Sequence, residues 1–175
     1  MADRKPIKKQ NERFHIANFL DWFNKTYKSD FKVISEPEPP EAIIQSSVKN
    51  KRWIEVSNSF WNSAYAQDLT SYATPGEEHA PIGKEPFGEM DEDFAKNFTR
   101  VVKNKLEKKS YNAVKNKFGK GYLIIPIYNP FFDEETIKLM RKEWGKTVIN
   151  NLNCFRSVRI TYRESSKWVF KLWRI

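Results

Sequence analysis

The sequence has 175 residues, enough for one domain with a sizeable core and too few for two ordinary domains. Aromatic residues make up 15% of it, which argues against disorder. Its 31 Lys and Arg exceed its 22 Asp and Glu, and the net charge of +9 favours an anionic partner. A single cysteine excludes a disulfide framework and a cysteine-based zinc site, and two histidines exclude a histidine-rich metal site. Lacking a membrane-length apolar run and a signal-peptide core, the sequence predicts a soluble cytoplasmic protein.

The chain is expected to form a basic N-terminal arm and one domain. Residues 1–11 are rich in lysine and are predicted to be a loose arm, and residues 12–175 are predicted to be a single α/β domain. A long loop insertion is expected at about 61–91, where prolines and glycines are frequent and no clear period is visible. Its first part, residues 61–73, is expected to hold one or two helical turns.

Helical and strand periods follow each other along the domain, without an internal repeat. We predict a mixed central sheet flanked by helices, because the continuous apolar run at 122–128 requires cover on both faces. In that sheet 122–128 is expected to lie beside the strand that contains 53–60. The predicted helices are 12–28, 91–118 with a break near Ser110, and 133–148, and the predicted strands are 31–35, 41–45, 51–60, 122–128, 155–163 and 167–175.

Two carboxylates face each other in the predicted hairpin of residues 41–60. A turn centred on Val48 pairs residues whose numbers add up to 96, which places Glu41 opposite Glu55. Like charges directly opposite destabilise a hairpin, whereas a divalent cation between them would stabilise it, and oxygen ligands suit Mg²⁺. Glu12, on the inward side of the first helix, is a candidate third carboxylate. The alternative is that Glu41 and Glu55 are ordinary strand-surface residues.

A resemblance to a known family rests on the same residues. Pro40-Glu41 followed by Trp53-Ile54-Glu55-Val56-Ser57, within the order helix, strand, hairpin, helix, strand, resembles the restriction-endonuclease-like superfamily and its PD…(D/E)XK motif. The resemblance covers roughly residues 12–128. It implies a restriction-endonuclease-like core in which Glu41 and Glu55 bind Mg²⁺, with Mn²⁺ as a substitute. Glu12 would resemble the acid that some members carry on their first helix.

The sequence departs from that motif at two positions. The first acid is Glu41 rather than aspartate, and Ser57 occupies the position of the motif's lysine. A serine hydroxyl can orient water, but it carries no charge to stabilise hydroxide. Some members of the family supply the lysine from elsewhere, and the candidates here are Lys51, Lys96 and Lys103.

A basic segment fits the same interpretation. Between Lys96 and Lys120 the sequence has nine Lys or Arg and one acid, Glu107. Aligned cations of this kind neutralise phosphates and release counterions, which is the main source of non-specific affinity for nucleic acid. The alternative is a solvated helix face. The candidate nucleic-acid-binding residues are Lys96, Arg100, Lys103, Lys105 and Lys109.

These observations lead to a hypothesis and two alternatives. The hypothesis is a metal-dependent, nuclease-like domain that hydrolyses DNA phosphodiesters, with Glu12, Glu41, Glu55 and Ser57 as site residues. The first alternative is a non-catalytic nucleic-acid-binding or interaction module on the same fold. The second is a structural or regulatory accessory protein whose carboxylates lie on a solvated sheet face. The sequence does not determine the cleavage specificity or the oligomeric state, and a homodimer is one of the states that it allows.

Overall fold

The predicted alternation of helices and strands is present in the computed structural model, which describes residues 4–83 and 90–175. The described residues form five helices and a mixed, open sheet of seven strands. The elements in chain order are α1 Lys5–Tyr27, β1 Lys32–Ser35, β2 Ala42–Gln45, β3 Lys51–Val56, β4 Ser59–Phe60, α2 Ser63–Ala73, α3 Met90–Glu107, α4 Tyr111–Phe118, β5 Gly121–Tyr128, α5 Glu134–Trp144, β6 Phe155–Glu164 and β7 Lys167–Trp173.

The apolar strand β5 lies inside the sheet, as predicted. The strand order is β1-β2-β3-β5-β6-β7, and the short strand β4 also pairs with β5. Strand β5 runs parallel to β3 on one side, with Ile54 beside Tyr122, and parallel to β6 on the other. Pro126 lies between the last β5 residue paired with β3, Ile124, and the first paired with β4, Ile127, so the sheet accommodates a proline in an inner strand.

The register of the β2–β3 hairpin is the one that the sequence predicts. Ile43 pairs with Trp53, and Ala42 pairs with Ile54, so that each pair of numbers adds up to 96. The ladder ends at Ala42, and Glu41 directly precedes it. Because the two strands are antiparallel, the beginning of β2 lies beside the end of β3, and this brings Glu41 to Glu55.

Helices cover both faces of the sheet, and the two faces have separate apolar cores. On one face α1 contributes Ile16, Phe19 and Phe23, which pack with Ile54 and Ile124. The opposite face is covered by α3, α4 and α5 and contains the side chains that alternate with the first set along the strands. These include Trp53, Leu123, Phe98, Tyr111 and Met140. Glu55 belongs to this second face because it follows Trp53 by two residues.

Residues 5–11, which were predicted to belong to a loose arm, are helical. Helix α1 begins at Lys5, with Pro6 in its first turn, where the missing N–H of proline costs nothing. Ion pairs of Lys8 with Glu38 and of Arg13 with Glu36 hold this first part of α1 against the segment before β2. Residues 1–3 lie outside the described residues.

The predicted loop at 61–91 contains regular structure. Helix α2 occupies Ser63–Ala73, and the Asn62 side chain caps it by accepting a hydrogen bond from the backbone N–H of Tyr65. Alanine, serine and tyrosine obscured its period in the sequence. Residues 84–89 lie outside the described residues. In the described ranges, none of the helices has both the length and the apolar character needed to cross a bilayer.

Candidate functional site: a buried carboxylate pair at the end of β3

Glu41 and Glu55 meet on the face of the sheet that α3 and α4 cover. Glu55 is 1% exposed, although it lies in the sheet beside Val56, near the carboxyl end of β3. The two carboxyl groups are close enough to share a hydrogen bond, which requires a proton on one of them. Oε2 of each group is buried and receives no donor from the other described residues.

A sharp turn between α3 and α4 brings two further residues to this pair. The long helical pattern breaks at Lys108–Ser110, so that α4 folds back and its first residue, Tyr111, lies over β3. The Tyr111 ring stacks on Trp53 at 5.5 Å between centroids. The indole N–H of Trp53 donates to the Gly119 carbonyl at 2.8 Å, which ties the end of α4 to the same strand.

The close packing of Trp53 depends on a glycine in the neighbouring strand. A Cβ atom on Gly121 would lie 2.3 Å from the Trp53 ring, well inside contact distance. Only glycine therefore fits at the start of β5. The space that it leaves allows the Trp53 indole to pack against the Tyr111 ring. The position of Tyr111 thus follows from packing within the sheet rather than from its own helix.

Lys105 and Tyr111 both bind Glu55. Nζ of Lys105 lies 2.5 Å from Oε1 of Glu55, and the Tyr111 hydroxyl donates to the same oxygen at 2.5 Å. Nζ of Lys105 is also 3.3 Å from the Tyr111 hydroxyl. The Glu55 side chain is 2% exposed and that of Lys105 is 23% exposed, so water screens this ion pair only weakly. We call Glu41, Glu55, Lys105 and Tyr111 the carboxylate site.

The two carboxyl groups differ in charge. Burial, together with the hydrogen bond and the negative charge of Glu55, raises the pKa of Glu41 to about 9. Burial alone would also raise the pKa of Glu55, but the hydrogen bond with Glu41, the Lys105 ammonium and the Tyr111 hydroxyl lower it below its usual value. At neutral pH Glu41 is therefore protonated and Glu55 is ionised.

Glu12 lies near the pair but does not join it. Its side chain is 11% exposed and its Oε1 is 3.3 Å from Nζ of Lys8. Burial raises its pKa, an effect that Lys8 opposes, and the charge of Glu55 contributes at longer range. A shallow cavity lined by Glu12, Glu41, Glu36 and Ile16, among others, separates α1 from the segment before β2.

Among the described residues, the carboxylates of Glu41 and Glu55 are the pair available for a metal ion at this site. Among residues 4–83 and 90–175 there is no group of three or more His, Cys, Asp or Glu side chains that could hold one. Mg²⁺ commonly takes only one or two protein carboxylates and completes its shell with water and phosphate oxygens. The unpartnered Oε2 atoms of Glu41 and Glu55 fit such a site.

The lysine that contacts Glu55 is none of the three predicted from the sequence. Lys51 is exposed at the opposite end of β3, Lys96 pairs with Asp93, and Lys103 is exposed on α3. Ser57 lies one residue beyond β3 and is half-buried, and its backbone N–H donates to the Ile124 carbonyl. In the described part of the chain its hydroxyl makes no hydrogen bond with either carboxylate.

The five candidate nucleic-acid-binding residues lie in different environments. Lys96, Arg100, Lys103 and Lys109 are exposed, whereas Lys105 turns into the carboxylate site. Arg100 donates to Asn97, one turn before it. Lys105 therefore does not belong to the exposed basic face. Its position on α3 lies at the boundary between the buried side and the exposed side of the helix.

Sequence reasoning missed Tyr111 as a site residue. Its spacing placed it near a helix break, and nothing in its neighbours indicates a carboxylate partner. The useful signal was the break itself, because a turn directly after a long helix returns the chain across the sheet. Combined with the confirmed hairpin register, that turn would have pointed to Glu55.

A second buried polar cluster lies at the same end of the sheet, on the α1 face. The Tyr128 hydroxyl is 2.8 Å from Nε2 of His15 and accepts from the Asn11 side chain at 2.6 Å. Asn58 donates in turn to Asn11. Burial lowers the pKa of His15 to about 4, so the imidazole is neutral at pH 7. We call Asn11, His15, Asn58 and Tyr128 the histidine cluster.

No protein-family model matches this chain, no curated protein matches it, and no solved structure matches its fold.

Proposed function

We propose that this chain is a divalent-metal-dependent, nuclease-like domain that hydrolyses DNA phosphodiesters, on a core that resembles the restriction-endonuclease-like superfamily. The single observation that carries the proposal is the meeting of Glu41 and Glu55 in the sheet with a lysine against one of them. The element order and the two acids of the PD…(D/E)XK pattern add to it.

The first support is that three ionisable side chains meet at one point, with Glu55 buried and Glu41 and Lys105 half-buried. A like-charged carboxyl pair costs stability in the absence of a cation, and the fold keeps Glu41 protonated to accommodate it. Strongly shifted pKa values in a partly accessible site are typical of functional residues. A structural strand pair would bury apolar side chains there, as Ile43 and Trp53 do one step further along the hairpin.

The replacement of the motif's lysine is the second support. Ser57 cannot supply a positive charge, but Lys105 brings an ammonium group to Glu55 from α3. In the proposed reaction Glu41 and Glu55 hold Mg²⁺, which would polarise the phosphodiester and lower the pKa of a bound water. Lys105 stabilises negative charge beside Glu55, and Tyr111 fixes the orientation of the Glu55 carboxylate. The exposed lysines of α3 attract the DNA backbone.

Plasmid nicking with purified protein tests the proposal. Wild type is expected to nick supercoiled DNA in Mg²⁺ or Mn²⁺ and to stop in chelator. Glu55→Gln should lower the rate by at least about a hundredfold, since the variant removes the acid ligand and keeps its size. Lys105→Gln should lower it by about tenfold or more, since the variant removes the ammonium group beside Glu55.

Matched variants separate these effects from general changes of charge. Glu92→Gln removes an exposed acid from the same helix as Lys105, and Lys117→Gln removes an exposed lysine from α4. Both should nick at the wild-type rate. Absence of metal-dependent nicking by wild type, or equal rates for Glu55→Gln and wild type, would contradict the proposal.

One observation favours a non-catalytic nucleic-acid-binding module instead. Lys105 and Tyr111 both occupy Oε1 of Glu55, and a proton on Glu41 relieves the remaining repulsion, so the site is electrostatically satisfied without a metal. A calorimetric titration with Mn²⁺ distinguishes the nuclease from the non-catalytic module. The non-catalytic module is favoured if the protein binds DNA and if wild type and Glu55→Gln do not differ in their binding of Mn²⁺.

A further inference from the structure

A polar cavity lies at the corner where α3 turns into α4. Its volume is about 230 Å³, which is smaller than the roughly 300–1,000 Å³ usual for sites of drug-sized ligands but large enough for a phosphate group. We call it the corner cavity, and its lining consists of Leu106, Glu107, Lys108, Lys109, Asn112, Lys115, Asn153 and Cys154. Three lysines against one acid make it a site for an anion rather than for an apolar molecule.

In the described part of the chain, the cavity lysines lack the acidic partners that other lysines have. Within residues 4–83 and 90–175, no carboxylate lies within ion-pair distance of Lys108, Lys109 or Lys115. Several lysines elsewhere, such as Lys25 and Lys138, pair with an acid one turn away. Three ammonium groups around one cavity repel each other, and an anion between them would remove that repulsion.

The amide side chains of the cavity are held in place by hydrogen bonds. The Asn153 side chain donates to the Leu106 carbonyl at 2.8 Å and so joins the end of α3 to the segment before β6. The Cys154 thiol donates to Oδ1 of Asn112 at 3.1 Å, which leaves the Asn112 amide group available as a donor. The walls are therefore fixed by the fold, and the lysines supply the charge.

A single aromatic ring connects the corner cavity to the carboxylate site. Nζ of Lys108 lies over the Tyr111 ring, 5.3 Å from its centroid. The hydroxyl of the same ring donates to Glu55 at 2.5 Å. Tyr111 therefore lies between Glu55 and the cavity lysine Lys108.

We propose that the corner cavity binds a backbone phosphate of the DNA on which the carboxylate site acts, so that this phosphate fixes the register of the strand. This inference rests on the proposed function, and it assigns Lys108, Lys115 and Asn112 to DNA binding. Backbone contacts of this kind position a nucleic acid without reading its sequence. The cavity is accordingly an anchor and not a specificity pocket.

Anisotropy titration of a fluorescent DNA duplex, in chelator and at several salt concentrations, tests the anchor without requiring cleavage. Replacing Lys108, Lys109 and Lys115 together by Gln should weaken binding at least tenfold. It should also reduce the slope of log affinity against log salt by about 1 for each phosphate that is no longer neutralised. The control replaces Lys142, Lys167 and Lys171 by Gln. These lysines lie exposed on α5 and β7, and their replacement removes the same amount of charge. The control should bind within about threefold of wild type.

A second pair of variants tests the cavity by replacing one side-chain amide nitrogen with an oxygen. Asn112→Asp keeps the oxygen that accepts from Cys154 and introduces a negative charge into the cavity. It should weaken DNA binding several-fold. Asn116→Asp makes the same change on an exposed position one turn further along α4, outside the cavity lining, and should have little effect.

The outcomes separate the anchor from the catalytic proposal. Equally weakened binding for the cavity triple and its control, or for Asn112→Asp and Asn116→Asp, would overturn the anchor and leave metal-dependent nicking untouched. Weakening confined to the cavity variants supports the anchor even if wild type shows no nicking, in which case the catalytic proposal fails alone.

Discussion

The carboxylate site and the histidine cluster are both buried polar groups at one end of the sheet, yet they carry different charge. In the histidine cluster burial lowers the pKa of His15 to about 4, and every member is neutral at pH 7. In the carboxylate site burial raises the pKa of Glu41 to about 9, but Lys105 keeps Glu55 ionised. Burial alone therefore neutralises a titratable group, and a buried charge persists only where the fold supplies a cation.

The largest expected effect comes from removing that persistent charge. Glu55→Gln should lower the free energy of unfolding by about 3 kcal/mol, because Lys105 loses its buried partner and Tyr111 loses a charged acceptor. Urea unfolding in chelator at pH 7 measures the effect. Glu107→Gln, on the exposed side of α3, should unfold within about 0.5 kcal/mol of wild type. Equal stability of Glu55→Gln and wild type would show that the ion pair is not a structural element.

The second-largest expected effect is a loss of protein stability in acid, caused by protonation of His15 in the histidine cluster. The pKa of His15 is about 4 in the folded chain and about 6.5 in the unfolded chain, so the unfolded state binds the proton first. Its contribution is complete above pH 6.5 and is lost as the pH falls toward 4. Between pH 7 and pH 5 the loss should be about 2 kcal/mol.

Two histidine variants isolate this contribution. In His15→Gln the decline of stability from pH 7 to pH 5 should be shallower than in wild type by that amount. His79→Gln changes the exposed histidine, which pairs with Asp68, and serves as the control. If His15→Gln and wild type decline in parallel, His15 is not the neutral buried group that the geometry indicates.

Glu41→Gln should have a smaller effect of opposite sign. Because the folded pKa of Glu41 is raised to about 9, its contribution is greatest below the unfolded pKa of about 4.5 and is lost as the pH rises toward 9. Glutamine resembles the protonated acid and lacks this loss. In chelator at pH 7 the variant should be more stable than wild type by about 1 kcal/mol, after allowance for the partial exposure of Glu41. A variant less stable than wild type would mean that Glu41 is ionised and paired.

The smallest expected effect is that of Ser57→Lys. This change places a lysine at the position where the PD…(D/E)XK pattern has one, but Lys105 already contacts Glu55. A second ammonium group nearby would be repelled, so nicking should stay level or fall. An increase of several-fold would show that Lys105 does not take the place of the motif's lysine.

Local sequence determined the elements and the pairing of the two acids. Alternation in the strands, the polar turn around Val48 and the apolar run of β5 predicted the hairpin register and the β3–β5 neighbourhood, because each depends on residues close in sequence or on burial of both faces. The helix predicted from residue 133 onward does begin there, with Asp133 as its N-cap. The start of α1 was missed and the length of α2 was underestimated, since their periods are obscured by lysine or by small polar residues.

Only the tertiary structure decided which side chains meet those acids. Lys105 and Tyr111 are 50 and 56 residues from Glu55, and three lysines at other positions were equally good candidates from the sequence. Their meeting depends on the turn after α3, on the stacking of Tyr111 against Trp53, and on the space that Gly121 leaves for that indole. The sequence determined that two carboxylates would share the end of a hairpin. Long-range packing, which local pattern does not encode, decided that one keeps its charge and the other its proton.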